Sequence, residues 1–175
     1  EIQPGIGRTG KLFAFEHYGI TPDILVIGKG LGGGMPIGAF CSSFQNMETL
    51  THSPSLGHIT TFGGNPVIAA AGLATLQTII NKKLMAEIDA KEALFRECLV
   101  HPKIKQINGR GLMLAPILEN PEQVSKVVFS CLEKGLILFF LLWEKKGIRL
   151  SPPLNISKRE IRKGCKILLE ALDEL

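Results

Sequence analysis

A short apolar run, Ile24-Leu25-Val26-Ile27, is closed by Gly28 and followed at once by Lys29 and a glycine-rich stretch. No other feature constrains the fold of this chain so tightly. The run begins after Thr21-Pro22-Asp23 and shows no polar alternation, the pattern of a strand covered on both faces as in a parallel sheet. Residues 29–38 then carry five glycines and a proline, which permit positive φ and close backbone approach but offer no periodic apolar face. Lys29 therefore sits at the carboxyl end of a strand, where open α/β folds bind ligands. A lysine partly withdrawn from water at such a place has its pKa lowered, and its neutral amine can condense with an aldehyde. The same spacing also fits a surface lysine that merely closes a strand. The glycines match neither a Walker A loop nor GxGxxG.

Downstream, Asn65-Pro66 reads as an N-cap followed by proline at the first helical position. The helix over 67–80 is apolar on nearly every side, so it is expected to be buried by neighbours on most sides. A second, amphipathic helix is expected over 83–99, and the break Asn81-Lys82-Lys83 is read as a domain boundary. Beyond it come a strand at 111–115 and a helix opened by Asn120-Pro121 and ended by Lys134-Gly135. Strands follow at 136–143 and 148–150, then a helix opened by the capping box Ser157-Lys158-Arg159-Glu160. The second part is thus a small α/β or α+β domain.

Composition narrows the function classes. The net charge is +4, with basic residues spread along the 175 residues rather than clustered, which argues against a nucleic-acid partner. The longest apolar run, 136–143, falls well short of the roughly 18 residues a bilayer-spanning helix needs, and is read as a buried strand. Cys41, Cys98, Cys131 and Cys165 show no ligand spacing, and neither do His17, His52, His58 and His101. No metal site is expected, and a reducing, cytoplasmic compartment fits the cysteines. Tyr18 and Trp143 are read as packing residues, and Arg8 and Thr9 as residues that hold a loop. A mean hydropathy of +0.22 points to surfaces that expect a partner.

Several ordered segments carry a resemblance. They are Glu1-Ile2-Gln3, Gly5-Ile6-Gly7-Arg8-Thr9-Gly10-Lys11, Phe15-Glu16-His17-Tyr18-Gly19, Gly28-Lys29-Gly30-Leu31-Gly32-Gly33-Gly34-Met35-Pro36-Ile37-Gly38-Ala39, Thr61-Phe62-Gly63-Gly64-Asn65-Pro66, Gly109-Arg110-Gly111-Leu112-Met113 and Ile148-Arg149-Leu150-Ser151-Pro152-Pro153-Leu154. Together they resemble the class III (subgroup II) pyridoxal-phosphate aminotransferases, which include acetylornithine, ornithine and 4-aminobutyrate aminotransferases. The resemblance implies an α/β, fold type I architecture. Residues 1–81 would be the C-terminal part of the cofactor-binding large domain, and 82–175 the small C-terminal domain.

It further implies that Lys29 holds pyridoxal phosphate covalently and later moves the proton between substrate and cofactor carbons. Gln3 would hydrogen-bond the cofactor's phenolic oxygen. Thr61 would reach the phosphate of a neighbouring subunit's cofactor, and Arg149 would grip the substrate carboxylate with its planar fork. The implied partners are an amino acid, a 2-oxo acid such as 2-oxoglutarate, and a second copy in a homodimer with shared active sites. By the same resemblance, the acid that pairs with the pyridine nitrogen, the phosphate-holding turn and the ring-stacking aromatic would all precede Glu1. The chain is therefore expected to be the second half of an enzyme and inactive alone. Two other readings stand beside this one: a truncated, non-catalytic product acting as an oligomerisation module, and an aminomutase of the glutamate-semialdehyde type. The GRTG and TFGGNP segments favour the aminotransferases over the latter.

Overall fold

The computed structural model describes residues 1–175, which divide into two compact units, Glu1–Met85 and Ala86–Leu175.

The first unit opens with a series of tight turns anchored by its own first residue. The Glu1 carboxylate accepts hydrogen bonds from the backbone N–H groups of Ala14 (2.8 Å) and Phe15 (3.1 Å), so it caps the 3-10 helix Ala14–Tyr18. Thr9 is buried, and the ring of His17 lies 3.1 Å from both its carbonyl and its hydroxyl oxygen. Thr9 thus holds the loop, as its place in the sequence suggested.

Strand β1, Ile24–Gly28, pairs with β2, Gly38–Ser42, in the register Ile24↔Ser42 to Gly28↔Gly38. The pairing is antiparallel, and only Ile27 and Gly28 of β1 are buried, which corrects the expectation of a two-sided parallel strand. The reason is length. A parallel return needs a crossover of a dozen or more residues, whereas residues 29–37 suffice only to turn the chain back.

A short helix α1, Phe44–Glu48, follows, and then α2, Pro66–Asn81. The Asn65 side chain accepts from Val67 N (3.0 Å) and Ile68 N (3.3 Å), while Pro66 stands at the first turn, where no backbone donor is needed. The expected burial of α2 on most sides is not met within this chain. Gly72 and Ile79 are buried, but Val67, Leu73 and Ile80 are more than half exposed.

The second unit is α+β. Helix α3, Ile88–Cys98, leads to a hairpin of β3, Gln106–Arg110, and β4, Met113–Ile117. Helix α4 is Pro121–Glu133, capped by Asn120 through a 2.9 Å bond to Gln123 N, and Gly135 takes the left-handed conformation (φ 83°) just beyond its end. Strands β5, Phe139–Phe140, and β6, Ile148–Arg149, pair antiparallel, and bridges Leu114↔Leu150 and Ile117↔Gly147 join β4 to the β6 segment. Helix α5, Lys158–Asp173, closes the chain. Ser157 Oγ accepts from Glu160 N, and Glu160 accepts from Ser157 N at 2.8 Å, the reciprocal capping box.

The core gathers Ile88, Leu112, Leu118, Val124, Val127, Ile148, Ile161, Leu168 and Leu172, all fully buried or nearly so. Helix α4 packs inward at Val124, Val127, Val128 and Cys131, whereas Leu132 is exposed. Residues 136–143 depart from expectation: β5 is two residues long and exposed, Leu142 is 84% exposed and Trp143 98%. Leu136 and Leu138 pack against the core and Phe140 meets Phe129 of α4 edge-on, ring centroids 6.2 Å apart, but Ile137, Leu142 and Trp143 are left uncovered. Tyr18, 74% exposed, is likewise not a packing residue here.

The ends of α4 and α5 are tied by Lys134, whose amine donates to the Glu174 carboxylate at 2.6 Å, with Ser130 Oγ donating to the same group at 2.6 Å. The Lys134 bond, then the Ser130 bond, holds the Glu174 carboxyl below its ordinary pKa, and the pair raises that of Lys134. A carboxylate lowered in the folded state adds stability above its unfolded pKa and loses it as pH falls through the folded one. Lys134, being raised, keeps its contribution below its unfolded pKa and loses it only in strong base. Glu174→Gln is therefore expected to lower the urea midpoint at pH 7 and to leave it near the parent value at pH 3. An equal loss at both pH values would contradict the pairing.

Candidate active site

Lys29 lies directly after β1 in a 3-10 turn, Lys29–Gly32, and has a left-handed backbone (φ 43°). A non-glycine residue in that region is strained, and such strain gathers at functional sites. The preceding Gly28 is extended (φ −170°). The chain therefore leaves the strand with an abrupt change of direction at the lysine itself.

Helix α2 holds the turn in place. A Cβ at Gly72 would lie 3.2 Å from Ile37 Cδ1 and 3.6 Å from the Leu31 carbonyl oxygen. Gly33, itself left-handed (φ 57°), would drive a Cβ into Thr75 Oγ1. The Thr75 hydroxyl is fixed by donating to Ala71 O at 2.9 Å. Leu31 is buried, and Ile6 is buried beneath Gly30. The glycines of the loop thus serve a close approach between turn and helix, and neither Gly72 nor Thr75 figured among the expected site residues. A glycine inside an otherwise Ala- and Leu-rich helix is the sequence signal that could have flagged the contact.

Lys29 borders an open cavity of about 450 Å³ whose walls include Ile2, Val26, Ile37 and Phe40. Its amine has no ion-pair or hydrogen-bond partner. The side chain is exposed, so this chain does not supply the desolvation expected of it. Gln3 is exposed and next to Ile2, which lines the same cavity. Thr61 is exposed in the loop ahead of the Asn65 cap and does not line that cavity.

Arg149 belongs to the second unit, on β6 opposite Phe139. Its guanidinium sits 5.0 Å from the Phe139 ring centroid, within cation–π range. Its Nε is buried with no hydrogen-bond partner. An unsatisfied buried donor costs roughly 1–3 kcal/mol, so an acceptor from outside would be favoured there. The residue edges a cavity of about 320 Å³ lined mainly by apolar side chains, among them Leu99, Leu136, Ile161 and Leu168. The Gly109-Arg110-Gly111 segment is held by α3. Arg96 donates to the carbonyls of Ile107 and Gly109, both at 2.9 Å, and Glu92 accepts from Gly111 N and from Arg96 Nε.

Comparison with known proteins gives these features a family. Residues 1–172 match the family described as aminotransferase class-III. This chain belongs to that family. It is 40% identical to an acetylornithine aminotransferase of Caldanaerobacter subterraneus, over 100% of this chain and 44% of that protein. It is 36% identical to a leucine/methionine racemase of Thermococcus litoralis, over 100% of the chain and 41% of the relative. Among solved structures, the ornithine aminotransferase of Toxoplasma gondii, described with partial occupancy of PLP at its active site, superposes with a TM-score of 0.89. That match has 33% identity and covers 99% of this chain and 42% of the other. The fold is accordingly that of the fold type I aminotransferases, and the chain spans less than half the length of the relatives it matches.

The dependence of the lysine turn on Gly33 is testable. Gly33→Ala is expected to cost roughly 1–2 kcal/mol from the left-handed backbone alone, and more from the overlap with Thr75. Adding Thr75→Ala should recover the overlap but not the backbone cost. Urea unfolding of the single and double variants measures both, and a Gly33→Ala chain as stable as the parent contradicts the assignment.

Proposed function

We propose that this chain is the lysine-bearing part of a pyridoxal-phosphate-dependent aminotransferase. Residues 1–81 would be the end of its cofactor-binding large domain and 82–175 its small C-terminal domain. The reaction is transfer of the ω-amine of a donor of the ornithine, acetylornithine or 4-aminobutyrate type to a 2-oxo acid, with 2-oxoglutarate as acceptor. The observation that carries this reading is the unpaired Lys29 amine on a strained turn beside an open cavity. The apolar walls at Ile2, Val26 and Ile37 suit a flat aromatic aldehyde, and the free amine suits its carbonyl.

Pyridoxal phosphate, when bound, supplies an electron sink for charge developing at the substrate carbon. The chain's own residues do the rest. Lys29 Nζ would hold the cofactor's aldehyde and would carry a proton to and from the reacting carbon. The Gln3 amide is suited to donate to a phenolic oxygen, and the Thr61 hydroxyl to a phosphate belonging to a second copy's site. Arg149 holds the substrate carboxylate with a bidentate fork, and its unpartnered buried Nε and its support by Phe139 favour that role. A homodimer with shared active sites follows from the role given to Thr61. A cytoplasmic setting suits four cysteines that are all unpaired.

In the complete protein, borohydride reduction in the presence of pyridoxal phosphate should leave a pyridoxyl group on Lys29, and Lys29→Ala should abolish both label and amino transfer. A label elsewhere, or none on folded protein, overturns the proposal. In the complete protein, Arg149→Lys should raise KM for the 2-oxo acid roughly 10- to 100-fold, the worth of one charge-assisted hydrogen bond. Turnover that interconverts amino-acid enantiomers without consuming a 2-oxo acid would replace the transfer reading by racemisation.

A further inference from the structure

The cavity of about 320 Å³ in the second unit is larger and more apolar than the gripping of one carboxylate requires. Phe95, Leu99, Ile161 and Leu168 line it and are all buried, so its walls are aliphatic and aromatic. Water gains little in such a space, because a buried water needs roughly two to four polar partners. An apolar cavity of about 150 Å³ already admits a benzene-sized molecule, so this one has room for an aliphatic chain of about six to eight carbons.

Two further residues give the cavity a volume and a polar end. Gly164 lies inside α5 and lines the cavity, although glycine weakens a helix interior relative to alanine. A Cβ at this position would meet only Leu136 Cδ1, at 3.7 Å, which is ordinary contact. The packing of α5 therefore does not demand a glycine, and what the missing side chain leaves is open space. Arg149 lines the same cavity. Its Nε is buried without a hydrogen-bond partner, and no carboxylate of the chain forms an ion pair with its guanidinium. The other charged residue on the wall, Glu160, is committed elsewhere, since its carboxylate accepts from Ser157 N at 2.8 Å and from Ser157 Oγ at 2.6 Å.

We propose that this cavity binds an aliphatic monocarboxylate of about six to eight carbons, with the chain against Leu99, Ile161 and Leu168 and the carboxylate on Arg149. Burial of the chain supplies most of the affinity, and the guanidinium selects an acid over a neutral molecule of the same length. The ligand carries neither an amine nor a ketone, so it is not a substrate of the proposed amino transfer. Where that reading assigns Arg149 to the substrate carboxylate, the chain acid and the 2-oxo acid exclude one another. The site itself does not rest on that reading and is tested by binding alone.

The test is calorimetric titration of the complete protein, with no amino donor or oxo acid added, using straight-chain carboxylates from butanoate to decanoate and the 1-alkanol of each length. Affinity should rise about 4-fold with each methylene until the cavity is full, and then level off. Arg149→Gln should weaken the carboxylates roughly 10- to 100-fold and leave the alkanols unchanged. Gly164→Leu should remove the dependence on chain length by filling the cavity. Should that variant fail to fold, Gly164→Ala, which favours the helix, should shorten the longest chain that still gains affinity. Affinity that ignores chain length overturns the proposal, as does equal affinity for acid and alkanol, or binding that neither Gly164 variant alters. Absence of binding at every length overturns it too, because the cavity is then closed in the complete protein. A failed titration leaves the borohydride labelling of Lys29 standing, and a failed labelling leaves the titration standing.

Discussion

The close seating of the Lys29 turn on helix α2 is the constraint from which the first unit takes its form. Gly72 lets the helix backbone reach Leu31, and Gly33 accepts a left-handed conformation against Thr75, where any side chain would collide. With Leu31 and Ile6 buried beneath, the turn has no freedom to relax the strained φ of Lys29. The amine therefore emerges at one place beside the β1–β2 hairpin, rather than sampling the positions a flexible glycine loop would allow. Strain at a single non-glycine residue persists only when its surroundings over-determine it, and here those surroundings are two glycines and two buried aliphatic side chains.

The second unit solves a similar problem with different means. Arg149 rides on a two-residue strand that would be weak alone, but Leu150 exchanges backbone hydrogen bonds with Leu114 at 2.8 and 3.0 Å, which attaches the segment to the β3–β4 hairpin. Ile148 and Leu150 anchor it in the core from the other face. After Arg149 the chain runs through Ser151-Pro152-Pro153, and buried Lys91 fixes the end of that loop by donating to Leu154 O at 2.7 Å while pairing with Glu87 at 3.0 Å. A buried amine with a carbonyl and a carboxylate partner avoids most of the desolvation cost that an unpaired one would carry. Arg149 differs from it, because its Nε is buried with no such partner.

Much of the local structure was legible before any coordinates. Asn65-Pro66, Asn120-Pro121 and Ser157 with Glu160 each start a helix where their side-chain chemistry demands it, and Gly135 ends one. The inward face of α5 is Ile161, Cys165, Leu168, Ala171 and Leu172, at helical spacing. Strand β3 was not legible, since Gln-Ile-Asn-Gly-Arg contains one half-buried apolar residue and no alternation. Its pairing is imposed by the two-residue turn at Gly111-Leu112 and by the clamp of Glu92 and Arg96. Of the residues read as a site, Lys29 lines a cavity that also has Ile2, the neighbour of Gln3, in its wall, while Arg149 stands in the other unit.

What the sequence determined by itself is local: where helices begin and end, which lysine follows a strand, and which family the ordered motifs belong to. Those depend on side chains acting on their own backbone within a few residues. Only the tertiary structure decided the antiparallel return of β1 onto β2 and the exposure of Val67, Leu142 and Trp143. Burial and contact are properties of what packs on a surface. An apolar run states a preference for cover but cannot state whether another layer of the chain arrives to provide it.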